Sequence, residues 1–299
     1  MVDFERLLAR TSRTFALAIP LLPAPLRREV TVAYLLFRIA DTFEDAFALP
    51  REARIQALSD FEALLDARSP ARAKELAARW VAARPSEDAG YLELLGETPA
   101  VLAELDGFSP RSRAVIVHHA ARTARGMAAF VAGARDDGTL ALGSEAELRR
   151  YCYVVAGIVG ELLTDLFLLA APSLSAVEPQ LRARDVAFGE GLQLVNILKD
   201  QRADAEEGRV FLPATVGRGR ALAIAREDLG KAGEYVELLR TAGAPRGVVA
   251  FCSFPVLLAR VTLDELERRG AGAKAGRALV GQLLAGMNAA LDRGASALF

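Results

Sequence analysis

Residues 34–45 read Tyr34-Leu35-Leu36-Phe37-Arg38-Ile39-Ala40-Asp41-Thr42-Phe43-Glu44-Asp45. Tyr34, Arg38, Asp41 and Asp45 recur at spacings of four, three and four, which is one continuous stripe on an α-helix. Leu35, Leu36, Phe37, Ile39 and Ala40 surround that stripe with apolar surface. Acids four residues apart on one helix face repel each other, so a strongly apolar helix ending in two of them calls for a nearby positive charge. A second stretch repeats the pattern. Gln193, Asn196, Asp200 and Asp204 are spaced three, four and four, flanked by Leu192, Leu194, Val195, Ile197 and Leu198.

Working outward, alternating strand patterns are almost absent and Ala, Leu, Arg and Glu dominate, the composition of helices. The periodicity predicts helices over 26–48, 51–67, 70–83, 110–133, 145–171, 181–205, 219–242, 246–269 and 272–294. Ser109-Pro110 offers an N-cap followed by proline at the first helical position. Ser144 precedes Glu145 and Glu147 in the same sense. Gly133, Pro172, Gly208, Pro213 and the run from Gly243 to Pro245 mark breaks. No solenoid-length repeat and no linker rich enough to cut the chain are visible, so residues 1–299 are expected to form a single all-α domain.

The 299 residues are 52% hydrophobic and 25% charged, with a net charge of -1. A substantial core is expected, and nucleic acid is not an expected partner. Cys152 and Cys252 each sit in an apolar run with no disulfide or zinc spacing, which fits core thiols in a reducing, cytoplasmic compartment. Met1-Val2-Asp3-Phe4-Glu5 lacks the features of a signal peptide, and the Ala297-Leu298-Phe299 end carries no apolar anchor. The most apolar run, Val154 to Pro172, contains Glu161 and Asp165. These two acids make it a poor membrane span and a better buried helix, with Arg residues of a neighbouring helix as their expected partners. A soluble protein that touches a membrane at most peripherally is expected.

The two stripes are expected to face each other across a cavity whose upper wall is apolar and amide-lined and whose mouth is acidic. Buried carboxylates need compensation. A hard divalent cation with oxygen ligands supplies it, and Mg²⁺ is commonly held by a few carboxylates together with substrate phosphates. A diphosphate substrate follows, with Arg13, Arg38 and Arg209 as candidates for the remaining phosphate charge. The plainer alternative is a solvated face, or for Arg38 a simple i,i+3 ion pair with Asp41.

The chain resembles the squalene/phytoene synthases, the head-to-head prenyltransferases, and most closely their squalene synthase branch. The resemblance is carried by Ser12-Arg13-Thr14-Phe15, by residues 34–45 and by Tyr151-Cys152-Tyr153-Val154-Val155-Ala156-Gly157-Ile158-Val159-Gly160. It continues through Gln193-Leu194-Val195-Asn196-Ile197-Leu198-Lys199-Asp200, Asp204 and Gly208-Arg209-Val210-Phe211-Leu212-Pro213, covering roughly residues 11 to 280. It implies the all-α isoprenoid synthase fold with a central apolar channel. Two farnesyl diphosphates would bind with Mg²⁺ held by Asp41, Glu44, Asp45, Asp200 and Asp204. They would condense to presqualene diphosphate and be reduced by NADPH to squalene.

The resemblance also implies that Ser12, Arg13, Phe15, Tyr34, Arg38, Gln193, Asn196 and Arg209 contact substrate. Tyr151 would sit near the carbocations, with Asp41, Asp45, Asp200 and Asp204 as the other catalytic groups. Arg13, Arg38 and Lys274 would serve NADPH, although the basic cluster around Lys274 is thinner than in animal and fungal relatives. Gly157 and Gly160 would permit close approach of a helix or a prenyl chain. Lys199 stands where Arg is common, and Ala203 where an acid is often found. Alternatives within the family are dehydrosqualene, phytoene or presqualene diphosphate synthases that use no reductant, and non-catalytic members.

Overall fold

The computed structural model describes residues 2–135, 139–273 and 276–298; Lys274 lies outside them. Apart from two-residue strands at Leu140–Ala141 and Arg209–Val210, its regular elements are helices, as expected. The chain forms two compact units. One comprises the residues up to Ile19 together with Ala24–Leu140, and the other comprises Pro20–Pro23 and the residues from Ala141 onward.

The first unit contains α1 (Phe4–Thr11), α2 (Phe15–Ala18), α3 (Leu26–Glu44), α4 (Arg51–Ala67), α5 (Pro70–Ala83), α6 (Ala89–Gly96), α7 (Thr98–Asp106) and α8 (Pro110–Ala132). Local chemistry sets the ends. Asp3 accepts from the Arg6 N–H at 2.9 Å and Ser109 from the Ser112 N–H at 3.1 Å. Each satisfies a donor that has no partner within its helix. The core centres on Trp80, whose ring lies 4.8 Å from Phe43 and 6.5 Å from Phe61.

The helix expected over 26–48 stops at Glu44, with Asp45 as its C-cap at φ -85 and ψ 0. Pro50 precedes α4 and disfavours helical conformation in the residue before it, so the chain turns through Phe47, Ala48 and Leu49. A helix C-terminus is the negative end of the backbone dipole, an unfavourable place for acids. Arg54 offsets this. It is 2% exposed, donates to the Phe43 carbonyl at 3.4 Å and to the Glu44 carbonyl, and covers the Phe47 ring at 4.3 Å. The end of α3 is therefore held by a buried cation from α4.

The second unit contains α9 (Glu145–Cys152), α10 (Ile158–Ala170), α11 (Glu178–Glu206), α12 (Gly217–Thr241), α13 (Arg246–Arg269) and α14 (Arg277–Asp292). Ser144 caps α9 by accepting from the Glu147 N–H at 3.2 Å, while Glu147 Oε2 accepts from the Gly143 N–H at 2.7 Å. The helix expected over 145–171 is interrupted by one π-helical stretch, Tyr153–Gly157. It lies at a close crossing with α11. Gly189 packs its Cα against the Ala156 carbonyl, and Gly160 packs against the Asp185 carbonyl, at separations that leave no room for a Cβ. Gly160 thus acts as a close-approach glycine between helices, with Gly189 as its counterpart, while a Cβ on Gly157 would meet the side chains of Tyr153 and Val186.

The core here includes Phe167, Phe188, Tyr235, Phe251 and Phe254, with both cysteines buried. Burial pushes both thiols well above their ordinary range. Stretches Glu145–Ala170 and Arg246–Arg269 are long and apolar enough to cross a membrane, but 56% and 72% of their most apolar windows is buried in the fold. Asp165 pairs with Arg182 of α11, as expected for an acid in this run, and Glu161 accepts from the Tyr153 hydroxyl at 3.2 Å.

Candidate active site

The first acidic stripe is built in the first unit. Arg38 is its organiser. One nitrogen pairs with Asp41 Oδ2 at 3.2 Å, and another donates to the Tyr34 hydroxyl at 3.0 Å. That hydroxyl in turn donates to the Thr11 carbonyl at 3.0 Å. The guanidinium carbon lies 5.6 Å from the Tyr34 ring and 5.7 Å from the Tyr91 ring. Burial acts to lower the Arg38 pKa, but Asp41 and the two tyrosines outweigh it and the pKa is raised. Burial pushes Asp41 up to about 6, with Arg38 opposing and Asp45 adding to the rise. A cavity of about 50 Å³ is lined by Arg38, Asp41, Thr42, Asp45, Pro85, Ser86 and Tyr91.

The other expected residues of this unit fall around that core. The Phe15 ring packs 5.5 Å from Tyr34, and Ser12 accepts the Phe15 N–H at 3.0 Å, which fixes the turn between α1 and α2. Arg13 is exposed, as is Asp45. Glu44 differs from its two companions, being only 3% exposed. Tyr91 was absent from the sequence reading. It belongs to α6, whose Asp88 N-cap accepts the Gly90 N–H at 2.7 Å; the Ser86-Glu87-Asp88 run was the signal for that helix.

The second stripe lies on α11 in the second unit. Gln193 and Asp200 are half-buried and Asn196 is exposed. Lys199 donates to Asn196 Oδ1 at 2.9 Å and pairs with Asp200 at 3.2 Å. Asp204, 9% exposed, pairs with Arg209 at 3.0 Å. Arg209 also pairs with Glu207 and lies 5.8 Å from the Phe211 ring. Phe211 stacks on Tyr151 at 4.6 Å and 23°. Tyr151, distant in sequence, is thereby linked through Phe211 to the Arg209–Asp204 pair. A cavity of about 340 Å³ beside them is lined by Asp204, Arg209, Phe211, Gln201, Ile197 and Ala271 among others.

Beneath Tyr151 lies a buried network that the sequence reading missed. Arg149 pairs with Asp228 at 2.8 Å and with Glu190 at 3.2 Å, and Asp228 is 1% exposed. Burial raises both acids and Arg149 opposes the rise. The network ties α9, two residues before Tyr151, to α11 and α12.

Among the described residues, no three His, Cys, Asp or Glu side chains converge as a preformed metal cage. What exists is pairs of carboxylates with oxygen-only donors, each beside an arginine. That donor set suits Mg²⁺, which keeps part of its shell for water and substrate phosphate.

Comparison with known proteins places these residues in a lineage. The squalene/phytoene synthase family model matches residues 8–221, and the chain belongs to that family. It is 29% identical over 276 residues to squalene synthase of Yarrowia lipolytica, an alignment covering 86% of this chain and 59% of that protein. It is 32% identical over 213 residues to squalene synthase BSS of Botryococcus braunii, covering 69% and 41%. The chain therefore spans well under two thirds of the length of these relatives. Among solved structures, TcSQS bound to the ligand BPH1237 matches with a TM-score of 0.75 at 22% identity, covering 95% of this chain and 84% of that one. A dehydrosqualene synthase in complex with a ligand matches with a TM-score of 0.58 at 17% identity, covering 97% and 95%. The fold is the all-α isoprenoid synthase fold.

Proposed function

We propose that this chain is a Mg²⁺-dependent head-to-head prenyltransferase that joins two farnesyl diphosphates through presqualene diphosphate and reduces the product to squalene with NADPH. The observation that carries the reading is the Arg38–Asp41–Asp45 constellation. A charged arginine is held against a carboxylate that burial has pushed up to about 6, beside a small cavity. Such a site gains by exchanging strained internal charge for a cation and a polyanion.

Asp41, Glu44 and Asp45, with Asp200 and Asp204, are the proposed metal-holding residues. Mg²⁺ there would neutralise diphosphate charge as the leaving group departs. Arg38 and Arg209 present further donors to phosphate oxygens, and Ser12, Arg13 and Tyr34 line the approach in this reading. Phe15, Gln193 and Asn196 are proposed to contact the prenyl chains or the diphosphate. Tyr151 has one ring face covered by Phe211. Its other face and its hydroxyl are proposed to stabilise positive charge and to hold a transferable proton. Burial of the surrounding side chains keeps water from the cations.

For NADPH, Arg13, Arg38 and Lys274 are the proposed contacts. Release of presqualene diphosphate or dehydrosqualene without reduction is the second reading. A soluble protein with peripheral membrane contact is the proposed location.

The test is incubation of the purified protein with farnesyl diphosphate and Mg²⁺, with and without NADPH, followed by mass spectrometry. Squalene that depends on NADPH supports the first reading, and an unchanged C30 product supports the second. Asp41→Asn and Asp200→Asn should each lower turnover by about 10²–10³-fold, the scale of losing one electrostatic stabiliser of a developing charge. Absence of any C30 product from the wild-type chain would refute both.

A further inference from the structure

Tyr91 lies outside every motif that identifies the family, yet it faces the most charged group of the first acidic stripe. We propose that Tyr91 is a positioning residue for diphosphate: with Tyr34 it clamps the Arg38 guanidinium between two aromatic rings and holds it oriented toward the anion. The inference deepens the proposed function and rests on the reading that the Arg38–Asp41 site takes a diphosphate.

The geometry supports a clamp rather than incidental packing. The guanidinium carbon is almost equidistant from the two rings, 5.6 Å from Tyr34 and 5.7 Å from Tyr91, within the range where a ring face attracts a cation. The hydrogen bonds divide unequally between them. Tyr34 accepts from Arg38 at 3.0 Å and is itself anchored to the Thr11 carbonyl. Tyr91 therefore acts through its ring. The Arg38 Nε–H is buried and finds no acceptor among the described residues. A charged donor left so is costly in a low-dielectric setting, and the quadrupoles of two flanking rings lessen that cost. The clamp leaves the guanidinium bonded to only one carboxylate, Asp41, and both residues line a cavity of about 50 Å³ whose wall also includes Tyr91 and Ser86. That volume suits one or two waters or a phosphate oxygen.

An arginine whose fork is fixed in advance loses less freedom on binding a phosphate than one that must be ordered first. Removing the Tyr91 ring should therefore weaken anion binding without touching the acids. Removing only its hydroxyl should do little.

The experiment is titration calorimetry with inorganic pyrophosphate in the presence of Mg²⁺ on wild type, Tyr91→Phe and Tyr91→Leu, with thermal melts to confirm folding. Tyr91→Phe should bind within about twofold of wild type. Tyr91→Leu should bind about tenfold more weakly, the scale of one partly desolvated cation–π contact, and Tyr91→Trp should restore the affinity. Tyr91→Met gives the same comparison if the leucine variant does not fold. In turnover with farnesyl diphosphate, the leucine variant should raise KM more than it lowers kcat. Equal pyrophosphate affinity in wild type and Tyr91→Leu would overturn the inference, as would a Tyr91→Phe loss as large as that of leucine. The binding assay needs no condensation. Tyr91-dependent pyrophosphate binding in a protein that makes no C30 product would sink the proposed reaction and leave the clamp standing.

Discussion

Replacing Gly189 by alanine would set a methyl carbon 2.5 Å from the Ala156 carbonyl carbon and 3.0 Å from the Gly157 nitrogen, with the Ala156 carbonyl oxygen nearer still. Carbon atoms in contact rest about 3.5–4.0 Å apart, so α11 and the π-helical stretch must separate by about 1 Å. Both sides of the crossing are main chain, which cannot rotate away as a side chain would. Overpacking of this kind costs about 3 kcal/mol, offset by about 1 kcal/mol from the better helix propensity of alanine. A net loss of about 2 kcal/mol follows.

Gly230 supplies the control. It is exposed within α12, and a Cβ there meets nothing within 4 Å, so Gly230→Ala should gain about 0.5–1 kcal/mol. For a chain of this size each kcal/mol moves Tm by about 2–4 °C. Differential scanning calorimetry should therefore show Gly189→Ala melting about 4–8 °C below wild type and Gly230→Ala about 1–4 °C above it. Equal stabilisation by both substitutions would refute the close-crossing argument.

Two further perturbations concern buried charge. Asp185 is 1% exposed, its Oδ2 finds no hydrogen bond among the described residues, and Arg182 stands 3.7 Å away. Burial, with Glu161 adding to it, raises its pKa from 3.8 to about 6. The folded state then holds this proton more tightly than the unfolded state, so stability is lost as pH rises from about 4 to about 6, by up to about 3 kcal/mol. Urea midpoints at pH 4.5 and 7.5 should show Asp185→Asn gaining on wild type at the higher pH; a difference independent of pH would contradict this. Arg149→Met would leave Glu190 and Asp228 without their cation and should cost about 2–4 kcal/mol, discounted for the partial exposure of Arg149. A melt within 2 °C of wild type, at about 2–4 °C per kcal/mol, would show that the two acids do not depend on it.

Helical periodicity was sufficient for the long elements. Helices 51–67, 70–83 and 246–269 have the bounds that the pattern implies. It failed for α1, α2, α6 and α7, which have 8, 4, 8 and 9 residues. A segment of two turns shows too few repeats of a face for the period to stand out, and only caps such as Asp3 and Asp88 announce it. The acidic stripes were legible because i,i+3 and i,i+4 spacing is a local property. The groups that complete them are not local. Arg54 reaches back to α3 from α4, Tyr91 comes from α6, and Phe211 bridges Arg209 to Tyr151. No spacing rule connects such residues. The Arg38–Asp41 pair shows both sides: it is the plain i,i+3 ion pair that sequence allows, beside a Tyr34 ring on the same helix, and tertiary packing adds only the Tyr91 ring.

The π-helical stretch between Tyr153 and Gly157 has a consequence for inheritance. A π turn is an α-helix carrying one surplus residue, and each residue of a helix accounts for about 100° of rotation. A π turn winds less per residue, so the five residues of this stretch cover about the rotation of four α-helical ones. Deleting one residue there, for instance Val155, would restore an unbroken helix while leaving the turns upstream in nearly the same orientation relative to α10. Tyr151 would keep Phe211, and Arg149 would keep Glu190 and Asp228. The surplus residue is thus absorbed where it sits, and this segment should lose one residue at far lower cost than the regular helix on either side of it.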